Sequence, residues 1–116
     1  MTSTPKSWVS LSTVEGLPLI GGQGRFRTLA TAEGGLAYEI CYPAGVASPV
    51  HSHDHDSIVY LVSGSLRGTI DGREVTLEAG GTIVHPRGVP HSVEAIVDSR
   101  WVEFKTPLPA RPPIAE

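Results

Sequence analysis

Only one cysteine, Cys41, stands in the 116-residue chain, so no intrachain disulfide can staple the fold. It lies in an apolar stretch, where a buried thiol acts as a small hydrophobe, and a reducing, cytoplasmic setting is the expectation. Long hydrophobic runs are missing too. Leu17-Pro18-Leu19-Ile20 is cut by proline and then glycine, and nothing approaches the roughly twenty apolar residues of a membrane-crossing helix. No apolar core follows Lys6, which predicts a soluble, unprocessed chain with no membrane partner. Neither sign of charge dominates: nine basic and twelve acidic residues give −3, scattered along the chain, with no footprint for nucleic acid. Finally, no segment sustains a 3.6-residue apolar period, which removes helices as the main element.

What the sequence does hold is punctuation. Thirteen glycines and ten prolines separate short segments rich in Val, Ile, Thr and Tyr, the pattern of an all-β sandwich or barrel. The spacing predicts strands at 25–30, 35–42, 57–62, 65–70, 73–77, 82–85, 91–96 and 100–105. Asp71-Gly72 between two of them predicts a two-residue hairpin whose central residues both take positive φ. Apolar residues make up 40% of the chain and charged residues 18%, enough to bury one core. The reading is one domain: an arm with leading strands over 1–34, a barrel core over 35–106, and a tail over 107–116. That tail carries Pro107, Pro109, Pro112 and Pro113 and is expected to end the last strand, wandering or lying against a neighbour.

The chemistry lies in five histidines. His51, His53 and His55 fall together, and His85 and His91 follow in one later stretch. Residues two apart on an extended strand share a face, so His51 and His53 can aim both imidazoles at one point, with a third ring from a neighbouring strand completing a triad. The competing reading of such a pair is a solvated surface loop. On the pair alone both readings stay open. Gly45, five residues, His51, one residue, His53 and ten residues to Gly64 are followed by Gly80, five residues, Pro86, one residue, Gly88, two residues and His91.

These stretches resemble the paired motifs of the cupin superfamily, G-x5-H-x-H-x3-E-x6-G and G-x5-P-x-G-x2-H-x3-N, over roughly residues 36–106. The resemblance implies a double-stranded β-helix (jelly-roll) barrel in which His51, His53 and His91 bind one divalent metal ion, of iron, manganese, nickel, zinc, copper or cobalt. It also implies a homodimer of the small single-domain kind, binding a small molecule. The chain departs from the pattern at Ser57, where the motif has a metal-binding glutamate, and at Ala95 and Gly81. A serine hydroxyl is a poor ligand for a divalent ion. Ser57 is therefore expected to hydrogen-bond a metal-bound water or substrate from the fourth-ligand position. His55 or Asp56 could replace the glutamate if the strand bulges; the alternative is a polar rim of the barrel mouth with Asp54 and Asp56 solvated. His85 is expected to pack or support a ligand.

Small cupins carrying H-x-H-x-H-E-Q, among them a group that isomerises unsaturated uronate sugars, are also similar here, but their glutamine is Ser57 in this chain. Three neutral imidazoles with no carboxylate would leave the ion its full charge and favour a bidentate anion. The resemblance to three-histidine cupins implies a metal-dependent, dioxygenase-like oxidative cleavage of a small chelating acid or carbonyl compound. The alternatives are a metal-assisted isomerase or lyase on a sugar acid, or a non-catalytic ligand-binding module. Glu39, Glu94 and Glu103 are the candidate bases. If Tyr38, Ile40 and Tyr42 face inward, alternation leaves Glu39 a solvated acid, and of Trp101 and Phe104 only one can line the pocket.

Overall fold

The computed structural model describes residues 2–116, and all regular structure among them is β. Thirteen strands follow in order: β1 Val9–Leu11, β2 Thr13–Val14, β3 Leu17–Pro18, β4 Gly24–Ala32, β5 Gly35–Tyr42, β6 Ala47–His51, β7 Asp56–Ser63, β8 Ser65–Ile70, β9 Arg73–Glu78, β10 Thr82–His85, β11 His91–Ala95, β12 Ser99–Thr106 and β13 Ile114–Ala115. Every strand expected from the sequence is present, with ends displaced by at most two residues. The unexpected ones, β1, β2, β3, β6 and β13, are short. Two of these contain proline, Pro18 and Pro49, and both are edge strands, where a missing N–H breaks no ladder. Among the described residues no helix is long and apolar enough to cross a membrane.

A six-stranded sheet, ordered β1-β4-β5-β12-β7-β10, and a four-stranded sheet, β6-β11-β8-β9, enclose the core, and a small third sheet, β13-β2-β3, joins both chain ends. Strand β7 shows how alternation builds this: Ser57, Val59 and Leu61 are buried, whereas Asp56, Ile58 and Tyr60 face out. Tyr42 packs edge-on against Trp101, with ring centroids 4.8 Å apart. Asp71 and Gly72 have φ of 52° and 76°, as the expected hairpin requires. At Gly64 a side chain is excluded twice over: φ is 99°, and a Cβ would run into Ser99 and the Asp98 carbonyl.

Three expectations change. The proline-rich end does not simply leave the last strand: Ile114 is buried, and β13 pairs with β2. Cys41 is not buried in the core but half-buried on the outer face, paired across strands with Arg25 and Arg100. Glu39 also faces outward, as expected from Tyr38, Ile40 and Tyr42 in the core, yet it is buried and not solvated. Arg27 Nε donates to its Oε1 and Arg100 Nη1 to its Oε2, both at 2.7 Å. Trp8 stacks on Arg27 and Arg25 and ties the arm to this cluster.

Burial alone would raise the Glu39 pKa, but the hydrogen bonds from Arg100 and Arg27 outweigh it and hold the group below its ordinary 4.5. A depressed folded pKa contributes stability above the unfolded value and loses it as pH falls from about 4.5 through the folded pKa. Glu39→Gln is therefore expected to cost roughly 1.5–3 kcal/mol at pH 7. The two proteins should converge in thermal midpoint as pH falls from about 4.5 through the lowered folded pKa, and a constant gap across that range would remove Glu39 from the acid response.

Candidate metal centre

The four-stranded sheet brings the separated histidines together. His51 ends β6 and His91 opens β11, and the two are direct cross-strand partners, with ring centroids 4.2 Å apart. The extended strand stops at His51, so His53 belongs to a loop and not to the strand expected to present it. What holds that loop is the second glycine-proline stretch. Gly88 N donates to the His53 carbonyl at 2.9 Å, Val89 N closes the turn on Pro86 O at 3.1 Å, and Asp56 Oδ1 accepts from Arg87 N at 2.7 Å. Gly88, at φ 75°, makes the turn possible. The two glycine-punctuated stretches thus brace one another, which explains their spacing.

Each of the three rings has its Nδ1 occupied. That of His51 lies 2.7 Å from Pro49 O, that of His91 3.3 Å from Val89 O, and that of His53 2.7 Å from Glu15 Oε1. Oxygen acceptors at Nδ1 place the proton there and leave Nε2 as a lone pair. Burial pushes the His53 pKa down to about 2 and that of His91 to about 3, with nearby Lys105 and His85 adding respectively, and burial lowers His51 too. All three are neutral at pH 7, the form a metal needs.

The Nε2 atoms of His51 and His53 then face each other at 3.1 Å, lone pair against lone pair. Neither can donate, so a cation between them resolves the contact. Two nitrogens about 2.1 Å from one ion, at right angles, stand about 3.0 Å apart, so the spacing fits shared coordination. Ligand atoms of His51, His53 and His91 all lie within 4.8 Å of one another. The cluster is buried and compatible with a metal ion.

The other histidines lie outside this group. His85 stacks on His91, with rings 4.0 Å apart and 11° from parallel, and burial lowers its pKa to about 4. His55 does not sit on a solvated rim: it is 1% exposed, stacks on His53 at 4.5 Å and directs Nδ1 to Asp54. Its Nε2 is buried without a partner among the described residues. Asp54 and Asp56 are solvent-facing as expected. Ser57 is fully buried and its Oγ accepts from Lys105 Nζ at 2.9 Å, and Lys105 in turn pairs with Glu103 Oε2 at 2.6 Å. Of the candidate bases, Glu103 faces inward and Glu94 is half-buried beside Arg67. Trp101 lines the cavity and Phe104 faces out.

Lys105 and Glu15 were not apparent from the sequence. For Lys105 a signal existed: placing Trp101 inward by alternation also turns Glu103 and Lys105 inward. For Glu15 there was none, because its contact spans 38 residues. Glu15 and Gly16, at φ 49° and 76°, form the two-residue turn between β2 and β3 that carries the carboxylate over His53. Val14 and Ile114 roof the same cavity, whose free volume is about 30 Å³. That is room for an ion and about one water. Because carboxylates that orient ligand histidines support metal affinity about 10–100-fold, Glu15→Ala should weaken it by that factor in a chelator competition, with the circular dichroism spectrum retained. Unchanged affinity would reduce the contact to packing.

The family model described as "Cupin domain" matches residues 38–104. A predicted oxalate decarboxylase from Thermotoga maritima superposes with a TM-score of 0.76 at 20% identity, over 88% of this chain and 93% of that one. KdgF from Halomonas sp. gives 0.69 at 24% identity, over 72% and 78%. A salicylate 1,2-dioxygenase from Pseudoaminobacter salicylatoxidans, in complex with gentisate, gives 0.68 at 16% identity, over 72% and 25%. At such identities these neighbours show the fold alone. No curated protein matches the chain by sequence.

Proposed function

This chain belongs to the cupin family, and from that premise we propose that His51, His53 and His91 hold one divalent metal ion at which a small chelating organic acid or carbonyl compound is oxidatively cleaved by oxygen. The observation that carries the reading is the donor set: three neutral imidazoles converge on one point, and the position that would add a carboxylate, Ser57, is turned to Lys105. When bound, the metal supplies Lewis acidity and, if it is iron, a place for oxygen beside the substrate. The chain's own residues do the rest. Pro49 O, Val89 O and Glu15 fix the rings, and the roof of Val14 and Ile114 excludes water.

A second reading, metal-assisted isomerisation or elimination, is favoured by Glu103, a carboxylate at the cavity wall that could hold a proton. The fold neighbours include both KdgF and a dioxygenase, so likeness does not choose. Metal analysis of anaerobically purified protein, joined to oxygen uptake across a diketone, thiol and aromatic-acid panel, does. Iron with substrate-dependent uptake is the expected result. Zinc or nickel without uptake would sink the oxygenase reading, and retained metal with no turnover in air or without it would indicate a binding module.

We propose further a reducing, cytoplasmic setting, from the single cysteine, and a homodimer, from the likeness to small cupins. The dimer is supported by the outer face of the large sheet, where Phe104, Ile58 and Val84 form an exposed cross-strand row. A monomeric mass by light scattering would remove it.

A further inference from the structure

The two sheets of the barrel are not joined all the way round. Strand β9 ends the small sheet and β10 ends the large one, and no ladder among the described residues pairs them. An apolar cleft is lined from both of these edge strands. Val75 of β9 and Ile83 of β10 are half-buried at its mouth, and Val59, Leu66 and Leu77, all buried, line its depth. Gly68, the partner of Val75 on β8, brings no side chain to this space. None can be added there, because a Cβ would run into the Ser92 carbonyl on β11. The close approach of β8 to β11 thus keeps the gap open.

The cleft abuts the metal cluster. His85, Val93 and Trp101 line both the cleft and the histidine chamber, so a wall one side chain thick separates the two spaces. Of these, His85 stacks on His91, with ring centroids 4.0 Å apart. The two spaces differ in chemistry. Glu103, Lys105 and the imidazoles wall the chamber, whereas the cleft is apolar apart from His85 and a polar rim at Arg67, Thr76 and Ser92. Its free volume of about 20 Å³ is room for about one water-sized body, and its apolar depth offers a water no hydrogen-bond partners. A diatomic gas is of that size and needs no such partner. An organic acid is too large, and would give up its hydration without compensation.

We propose that the cleft between β9 and β10 is a binding site and entry path for dioxygen, reaching the histidine cluster past His85 and lying apart from the roof of Val14 and Ile114. This rests on the oxygenase reading above and adds to it a separate place for the gas. Val75 is the residue that sets the width of the mouth.

The test uses dioxygen itself, whose paramagnetism speeds the relaxation of nearby methyl protons in nuclear magnetic resonance, and the full chain loaded with zinc, so that nothing turns over. Under oxygen pressure the methyls of Val59, Leu66 and Leu77 should relax faster than those of Leu11 and Val46, which are just as buried but lie outside the cleft. Val75→Phe should abolish the difference with zinc content retained, and Val75→Ala, which widens the mouth, should increase it. In the iron-loaded protein Val75→Phe should raise the KM for oxygen several-fold and leave that for the organic substrate unchanged. Equal relaxation at Leu11 and Val46, a difference that survives Val75→Phe, or a smaller one in Val75→Ala would each overturn the path. Oxygen uptake with no oxygen in the cleft would sink the path alone and leave the oxygenase reading standing. Oxygen in the cleft with no uptake by the iron-loaded protein would sink the oxygenase reading, and the path with it.

Discussion

Alanine at His51, His53 or His91 is expected to leave a folded protein that retains essentially no metal. Each ring supplies one of three converging Nε2 atoms, and two ligands on a buried ion cannot replace the third. The loss should exceed the roughly 10–100-fold expected when a supporting group such as Glu15 is removed. His55→Ala is the informative control, because His55 is as buried as the triad but lies outside it. Its metal content should stay near that of the unaltered protein. Elemental analysis of the four variants after identical purification decides the matter, and loss at His55 equal to that at His51 would redraw the ligand set.

Lys105→Met is expected to produce the largest loss of stability of any single change considered. It strands the Glu103 carboxylate, whose side chain is 12% exposed, beside an apolar chain. Burial alone would raise the Glu103 pKa; the adjacent ammonium holds it down to about 2, so the carboxylate is charged in the folded protein and relies on that partner. Removing one member of a buried pair costs about 3–5 kcal/mol. For a domain of this size that corresponds to a fall in thermal midpoint on the order of 15 °C. Adding Glu103→Gln should restore most of it, since the double variant leaves no charge behind. Additive losses in the two singles and the double would show that the pair is not coupled.

Both experiments bear on how far the site could be read from the chain. The triad was legible because its signal is local and periodic: two histidines at spacing two, and a third at fixed distances from glycines whose backbone angles the turns demand. The structure adds the reason, the turn at Pro86–Gly88 bonded to the His53 carbonyl. The strands were legible for a similar reason, since alternation in β7 and β12 follows directly from which side chains can enter a core. Long-range pairings carried no comparable signal. Glu39 was misjudged because alternation separates inside from outside but does not reveal that Arg27 and Arg100 will cover an outward carboxylate. The burial of His55 was not foreseen because the strand was assumed to continue beyond His51, and the contact of Ser57 with Lys105 because that partner lies 48 residues away.

The roof over the cavity has a kinetic meaning as well. Val14 and Ile114 are paired strand to strand across 100 residues of sequence. Closing such a loop is entropically demanding, and contacts of this range slow folding. The barrel walls, built from nearer neighbours such as β8 with β9 and β4 with β5, can assemble first. The chamber is then sealed only when β2 and β13 find each other, and it should be the first part to reopen. Native-state hydrogen exchange should show the amides of Ser12 and Glu15, bonded to Ala115 O and Pro113 O, exchanging through a lower-energy opening than those of β7 and β12. Equal protection would mean that the roof and the barrel open as one unit.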